Sequence, residues 1–360
     1  MKSAIFANSA IIMRFVVDLP PELVDGINRL IREGRYRSIQ DFLFAAAQNQ
    51  VYEVEQSSDI VTVPQENIIL SRSHSPQALD RATHQTSDVD YRLLTPDLAN
   101  GKVETVPPPE PSQVAGEMYG LWNRFFPVKI TTRVLANMLK GDGARVPLEA
   151  LQENASRNAR ALGKLLLKKE RDLGRKRHDM IATALPTKRD EFKAKGRFKS
   201  HFVGYLSKRG KEVRIEGAPA VLRFINISKG EDGHDQVGLT AAGLRFALLG
   251  NPVIDQEDFN SSLSDEERRF LIEHISVELP EERKLMRYLL QSIKGGAANP
   301  HALQEEVKKL RPTLNERTEL VTFRSGLLSR MSELRLLTRA RNGVSVRYHV
   351  TSEGERFLEG

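Results

Sequence analysis

Apolar and polar positions alternate through Arg14-Phe15-Val16-Val17-Asp18-Leu19. A strand there carries Phe15, Val17 and Leu19 on one face and Arg14, Val16 and Asp18 on the other. The period changes at Pro20-Pro21. Pro21 suits the first position of a helix, Leu23, Ile27, Leu30 and Ile31 recur at helical spacing, and Gly34 can close the last turn. Ser38 then caps a second helix whose inner face uses Ile39, Phe42, Leu43 and Ala46. Residues 53–115 keep neither period. Ser57-Ser58, Ser71 to Pro76 and Val106-Pro107-Pro108-Pro109-Glu110-Pro111 predict a turn-rich linker, with room for a short strand at 60–63 or 68–70.

Helical spacing returns after Gly116. Thr131-Thr132 is placed to cap a short helix through Val134, Leu135, Met138 and Leu139. Pro147 opens a longer one with Leu148, Leu151, Ala155, Leu162 and Leu166 on one side. Phe198, Phe202, Val203 and Leu206 keep the helical period, Val221 to Ile227 reads as a strand, 228–236 as a hairpin tip, and Val237 to Thr240 as the returning strand. Farther on, helices are expected over Lys284–Ile293, Pro300–Leu310 and Leu320–Leu336. A hairpin is then expected around Asn342-Gly343, where both turn residues tolerate positive φ.

Two stretches end alike. Val237-Gly238-Leu239-Thr240-Ala241-Ala242-Gly243-Leu244-Arg245-Phe246 is echoed 111 residues later by Tyr348-His349-Val350-Thr351-Ser352-Glu353-Gly354-Glu355-Arg356-Phe357. Ala150-Leu151-Gln152-Glu153 recurs 152 residues later as Ala302-Leu303-Gln304-Glu305. The two offsets imply one unit copied twice, with roughly 40 extra residues inside the first copy. The shared Thr-x-x-Gly-x-Arg-Phe reads as structural: Thr240 and Thr351 as helix caps, Gly243 and Gly354 as close-packing points, Phe246 and Phe357 as core.

Residues 14–52, with Arg32-Glu33-Gly34-Arg35-Tyr36-Arg37-Ser38 as the turn, resemble the ribbon-helix-helix family of CopG, Arc and MetJ type. The resemblance implies an obligate homodimer, because two chains must pair their strands to close one core. In that family the solvent face of the ribbon enters the major groove. Here Val16 and Asp18 beside Arg14 depart from a polar reading face, so a DNA reader and a pure dimerisation module both stay open. Helices followed by a hairpin and a closing helix resemble tandem winged-helix proteins of bacterial or archaeal regulators and plasmid replication initiators. The expected fold is therefore mainly α with small β: a ribbon-helix-helix over 14–52, a linker over 53–115, a first winged helix with a basic insertion over 116–251, and a second over 263–360.

Charge changes the picture most. The net charge is +7, but residues 116–214 carry 24 basic and 10 acidic side chains, so that segment holds +14 and the rest sums to −7. Such concentration points to a polyanion, here double-stranded DNA. The candidate contacts are Arg14 on the ribbon and Lys168, Lys169, Arg175, Lys176 and Arg177 in the insertion. Arg197, Lys199, Ser200, His201, Tyr205, Lys208 and Arg209 follow on the first module's presumed recognition helix. In the second module Arg324, Ser325, Ser329 and Arg330 are expected on the exposed face of the recognition helix, with Arg339, Arg341 and Arg347 on the wing.

Other chemistry has little support. There are no cysteines, and the eight histidines form no pair at metal-ligand spacing, so no metal or cofactor is expected. Asp190-Glu191-Phe192-Lys193 holds a carboxylate-x-Lys pattern, but such spacing is common in a basic helix and no enzyme is expected. No run of 18 apolar residues occurs, so no membrane span is expected. The lack of cysteines suits a reducing compartment, and a cytoplasmic, nucleoid-associated location is expected. The expected role is a homodimeric transcription regulator. The alternatives are a plasmid or phage replication-initiator or partition protein, and a DNA-binding subunit of a larger nucleic-acid complex. Deleting residues 1–55 is expected to convert the dimer to a monomer by light scattering; a truncated chain that stays dimeric refutes the assignment of 14–52.

Overall fold

The computed structural model describes residues 21–32, 39, 89–95, 103–141, 143–176, 180–209, 212–314, 318–343 and 345–360. The chain divides into a first unit, Met1–Ser73, and a second, His74–Gly360. In the first unit, helix α1 (Pro21–Arg32) starts at the proline and buries Ile27. The strand through Arg14, the second helix apart from Ile39, and linker residues 53–88 lie outside the described residues.

The second unit is mainly α with small antiparallel sheets. Its first half runs through a short α2 (Tyr91–Leu94), α3 (Phe126–Met138), a two-residue β1 (Val146–Pro147) and α4 (Leu148–Asp172). Helix α5 (Glu191–Phe198) continues into a π-helical turn, Lys199–Val203. Then come hairpin β2 (Tyr205–Arg209) and β3 (Glu212–Glu216), α6 (Ala218–Val221), hairpin β4 (Ile225–Lys229) and β5 (Asp235–Leu239), and α7 (Ala241–Leu248). Helices α8 (Pro252–Asp255) and α9 (Asp265–Glu278) lead to the second half. That half is α10 (Pro280–Lys294), α11 (Pro300–Leu310), α12 (Glu319–Glu333), hairpin β6 (Leu337–Asn342) and β7 (Ser345–Val350), and α13 (Ser352–Glu359).

The two halves repeat the same joints. Thr240 and Thr351 each cap the closing helix, their hydroxyls accepting from the Gly243 and Gly354 amides at 3.1 Å in both copies. Each threonine amide donates to the residue that ends the preceding turn, Phe224 O at 3.0 Å and Leu336 O at 3.1 Å. In that turn Arg223 and Arg335 share a φ of +57°, uncommon for a residue with a Cβ. At the start of each copy, β1 pairs Val146 with Val237, and the Tyr348 amide donates to Ala298 O at 2.8 Å. These partners keep the 152- and 111-residue offsets of the sequence repeat. The sheet order of the first copy is β1-β5-β4.

The extra residues of the first copy have two visible sources. Helix α4 has 25 residues where α11 has 11. The third helix of the first copy is also interrupted: Gly204, at φ +114°, ends the π turn and Gly217, at φ +122°, restarts the helix as α6. A Cβ on Gly217 would stand 2.7 Å from Gly204 Cα. Hairpin β2–β3 thus leaves and rejoins at one point. The helix expected through Leu206 therefore stops at the glycine, and Tyr205 and Leu206 belong to a strand.

Four other expectations change. The strand expected from Val221 begins only at Ile225, because Ala218–Val221 is helix α6. Helix α3 begins at Phe126, five residues before Thr131; both threonines are buried in its middle, and the Thr131 hydroxyl donates to Phe202 O at 2.7 Å. Asn342 pairs with Ser345, so the tight turn moves on by one residue and Gly343 carries the positive φ, +58°. Finally, residues 103–115 of the expected linker pack on the first half. Val103 and Val106 are buried, and the Val106 amide donates to Leu239 O at 2.7 Å.

Burial of α3 carries charge with it. The Lys129 ammonium is fully buried, 2.9 Å from Glu267, and donates to Phe246 O at 2.5 Å and Leu249 O at 2.6 Å. Burial outweighs the Glu267 carboxylate and pulls its pKa down to about 8. One turn on, Arg133 meets both Asp255 oxygens at 2.5 and 2.6 Å.

The glycines of the repeat are fixed by close approach. A Cβ on Gly243 would stand 1.9 Å from Phe224 O, and one on Gly354 2.1 Å from Leu336 O. Replacing either with alanine is expected to cost about 1–3 kcal/mol, read as a lower urea midpoint at unchanged slope. An unchanged midpoint refutes the packing assignment.

Candidate nucleic-acid interface

Helix α4 turns its apolar side inward through Leu148, Leu151, Ala155, Leu162 and Leu166. Arg157, Lys164, Lys168 and Arg171 are exposed. Their spacings of seven, four and three residues keep them within about a sixth of a turn of one another, in a row about 21 Å long. Lys169 and Lys176 are exposed beside it. The one glutamate in this stretch points the other way: buried Glu170 accepts from the Ile181 amide at 2.7 Å, the Ala182 amide at 3.0 Å and the Arg175 guanidinium at 3.1 Å. The outer face therefore keeps its cations while Glu170 is consumed inside; Glu153 and Asp172 stay exposed at the two ends of the row.

That arrangement removes Arg175 from the expected contacts. Its guanidinium also donates to Phe259 O and to Asn260 Oδ1, at 2.8 Å for the latter, so it holds the turn after α4. Arg14 and Arg177 lie outside the described residues, as does the side chain of Arg209. Farther on, Arg197, Tyr205 and Lys208 are exposed. Lys199 is tied to Glu153 at 2.8 Å, and the Ser200 hydroxyl donates back into its own helix at 3.1 Å. The half-buried His201 accepts from Trp122 Nε1 at 3.3 Å, and burial lowers its pKa.

The second half departs further from expectation. Arg330, expected on an exposed reading face, is 0% exposed. It donates to Glu282 Oε1 through Nε at 2.9 Å and Nη2 at 2.7 Å. It also donates to Trp122 O at 3.0 Å, Met118 O at 3.2 Å and Tyr119 O at 3.3 Å. Segment 118–126 covers this side of α12. A Cβ on Gly326 would stand 2.0 Å from Gly120 O, so backbone lies on backbone. Three residues on from Arg330, buried Glu333 accepts from the Phe125 amide at 2.6 Å and the Ser262 hydroxyl at 2.8 Å; burial pushes its carboxyl up. Arg324, Ser325 and Ser329 are half-buried, and Arg324 donates to Pro300 O at 2.7 Å and Gln304 Oε1 at 3.1 Å.

The second hairpin leaves its arginines at the surface. Arg339, Arg341 and Arg347 are all exposed. Cross-strand pairing puts Arg339 opposite Tyr348 and Arg341 opposite Val346, so these two arginines share one face; Arg347, opposite Ala340, takes the other. The hairpin of the first half is different, with Lys229 paired to Asp235 at 2.5 Å.

The polar acceptors that cover Arg330 left no sequence signal, because they are main-chain carbonyls from residues more than 200 positions away. Among the described residues no group of three His, Asp or Glu side chains is placed to hold a metal ion, and no helix is long and apolar enough to cross a membrane. No family model matches the chain, and neither the curated proteins nor the solved structures give a match.

Replacing Arg330 with alanine is expected to destabilise the chain by about 3–5 kcal/mol, because Glu282 is left buried and uncompensated. A variant that keeps its thermal midpoint but loses DNA selectivity would return Arg330 to the reading face.

Proposed function

We propose that the chain is a homodimeric DNA-binding protein, a ribbon-helix-helix followed by two winged-helix modules, that grips duplex DNA mainly through its phosphates. The observation that carries this reading is the exposed row Arg157, Lys164, Lys168 and Arg171 on α4, whose four cations outnumber the exposed carboxylates of the same helix near it, Glu153 and Asp172. Phosphate contacts of this kind position a protein on DNA without reading sequence. Arg339, Arg341 and Arg347 on the second hairpin form a second, arginine-based contact suited to a groove edge. With one side of α12 covered, base reading falls to this hairpin and to the N-terminal ribbon rather than to the helix. A transcription regulator is the use this division of labour fits, since contacts on two modules and a dimer axis fix spacing along the duplex.

Six exposed cations, Arg157, Lys164, Lys168, Lys169, Arg171 and Lys176, are available to phosphates. If all engage, log K for duplex DNA is expected to fall with log salt at a slope of about −5. Charge reversal of Lys164, Lys168 and Arg171 is expected to weaken preferred and random sequences alike and to flatten the slope by about 3. A wild-type slope shallower than about −2 refutes the phosphate row.

A further inference from the structure

The carboxylate-x-Lys pattern at 190–193 has no free carboxylate to offer. Asp190 caps α5, accepting from the Lys193 amide at 3.0 Å, and Glu191 lies toward α4, 3.2 Å from Arg160 and 3.0 Å from Lys195. What the segment leaves to solvent is Phe192. It is 89% exposed, the most exposed large apolar side chain among the described residues. Half-buried Lys188, exposed Arg189 and exposed Lys193 surround it in sequence, and exposed Arg197 lies on the same helix. Lys164, from the α4 row, is close enough to act on Glu191 electrostatically.

A second observation comes from Gly196, four residues on and therefore on the same side of the helix as Phe192. Glycine inside a helix weakens it relative to alanine. At Gly243 or Gly354 the fold explains the glycine by contact, but a Cβ on Gly196 would meet nothing within 4 Å. The turn beside the ring is thus bare backbone open to a partner, and the charge around it is positive.

We infer that Phe192 and the bare turn at Gly196 form a stacking platform for an unpaired base, so that this edge of the first module takes single-stranded nucleic acid; this rests on the DNA-binding reading above. An aromatic ring standing clear of the surface has no partner in an intact duplex, whose base faces are already stacked. An unpaired base offers that face, and every base type has one. The neighbouring cations then hold the strand's phosphates while the ring takes the base.

Anisotropy with labelled oligo-dT and with a duplex of equal length tests this on the full chain. Phe192→Ala is expected to weaken oligo-dT binding by roughly 5- to 100-fold. Duplex affinity is expected to change by less than about twofold, because the phosphate contacts remain. Phe192→Trp is expected to restore oligo-dT binding. Gly196→Leu is expected to raise the thermal midpoint while weakening oligo-dT binding, a pairing of effects that a structural role for the glycine would not give. Equal loss on strand and duplex overturns the inference, as does unchanged oligo-dT binding accompanied by altered self-association in sedimentation, which assigns the ring to a protein contact. A wild-type chain that binds neither strand nor duplex removes the DNA-binding reading itself; one that binds duplex while Phe192→Ala changes nothing removes only the platform.

Discussion

The buried pair of Arg330 and Glu282 is the constraint around which the second unit is arranged. A guanidinium offers five donors in a rigid fork, and taking it out of water is tolerable only if those donors are met. Here they are met by one carboxylate and by the carbonyls of Met118, Tyr119 and Trp122. Glu282 completes the arrangement by accepting from the Met118 amide at 3.0 Å. Such a pair adds little net stability over a well-packed apolar substitute, but it admits few alternative geometries. It therefore fixes where segment 118–126 lies on α12, and the contact of Gly120 with Gly326 makes that approach short enough.

This arrangement has a functional consequence. The winged-helix reading proposed above would present α12 to a groove, yet α12 spends its Arg330 side on the chain's own first half. The cations left outside sit elsewhere, on α4 and on the second hairpin. The inward turn of Glu170 takes one negative charge off that face and leaves it net positive beside the exposed Glu153 and Asp172. The two copies of one unit have thus diverged in structure. The first carries a lengthened α4 and an inserted hairpin, whereas the second keeps a compact core and an arginine-bearing hairpin.

The sites of divergence follow from chain geometry. An insertion disturbs a packed helix least where its two ends touch, and Gly204 and Gly217 meet at such a point. The joints that did not diverge are those with no spare volume: the Thr caps, the glycines against Phe224 O and Leu336 O, and the left-handed turns at Arg223 and Arg335.

Local chemistry was readable from the residues alone. Pro300 to Leu310 forms the expected helix end to end, Thr240 and Thr351 cap as expected, and Phe246 and Phe357 are buried. These features depend on neighbours within a few positions, and the repeat marked them twice. The apolar side of α4 was equally legible because helical period and burial agree along one face. What only the tertiary structure decided is which polar side chains stay outside. Arg330 and Arg324 look alike in sequence, yet one is sealed by carbonyls from residues 118–122 and the other is half-exposed. Arg175 and Lys176 are adjacent, but one holds Glu170 and Phe259 while the other faces solvent. Burial of a charge is set by partners distant in sequence, and a periodicity of one helix carries no information about them.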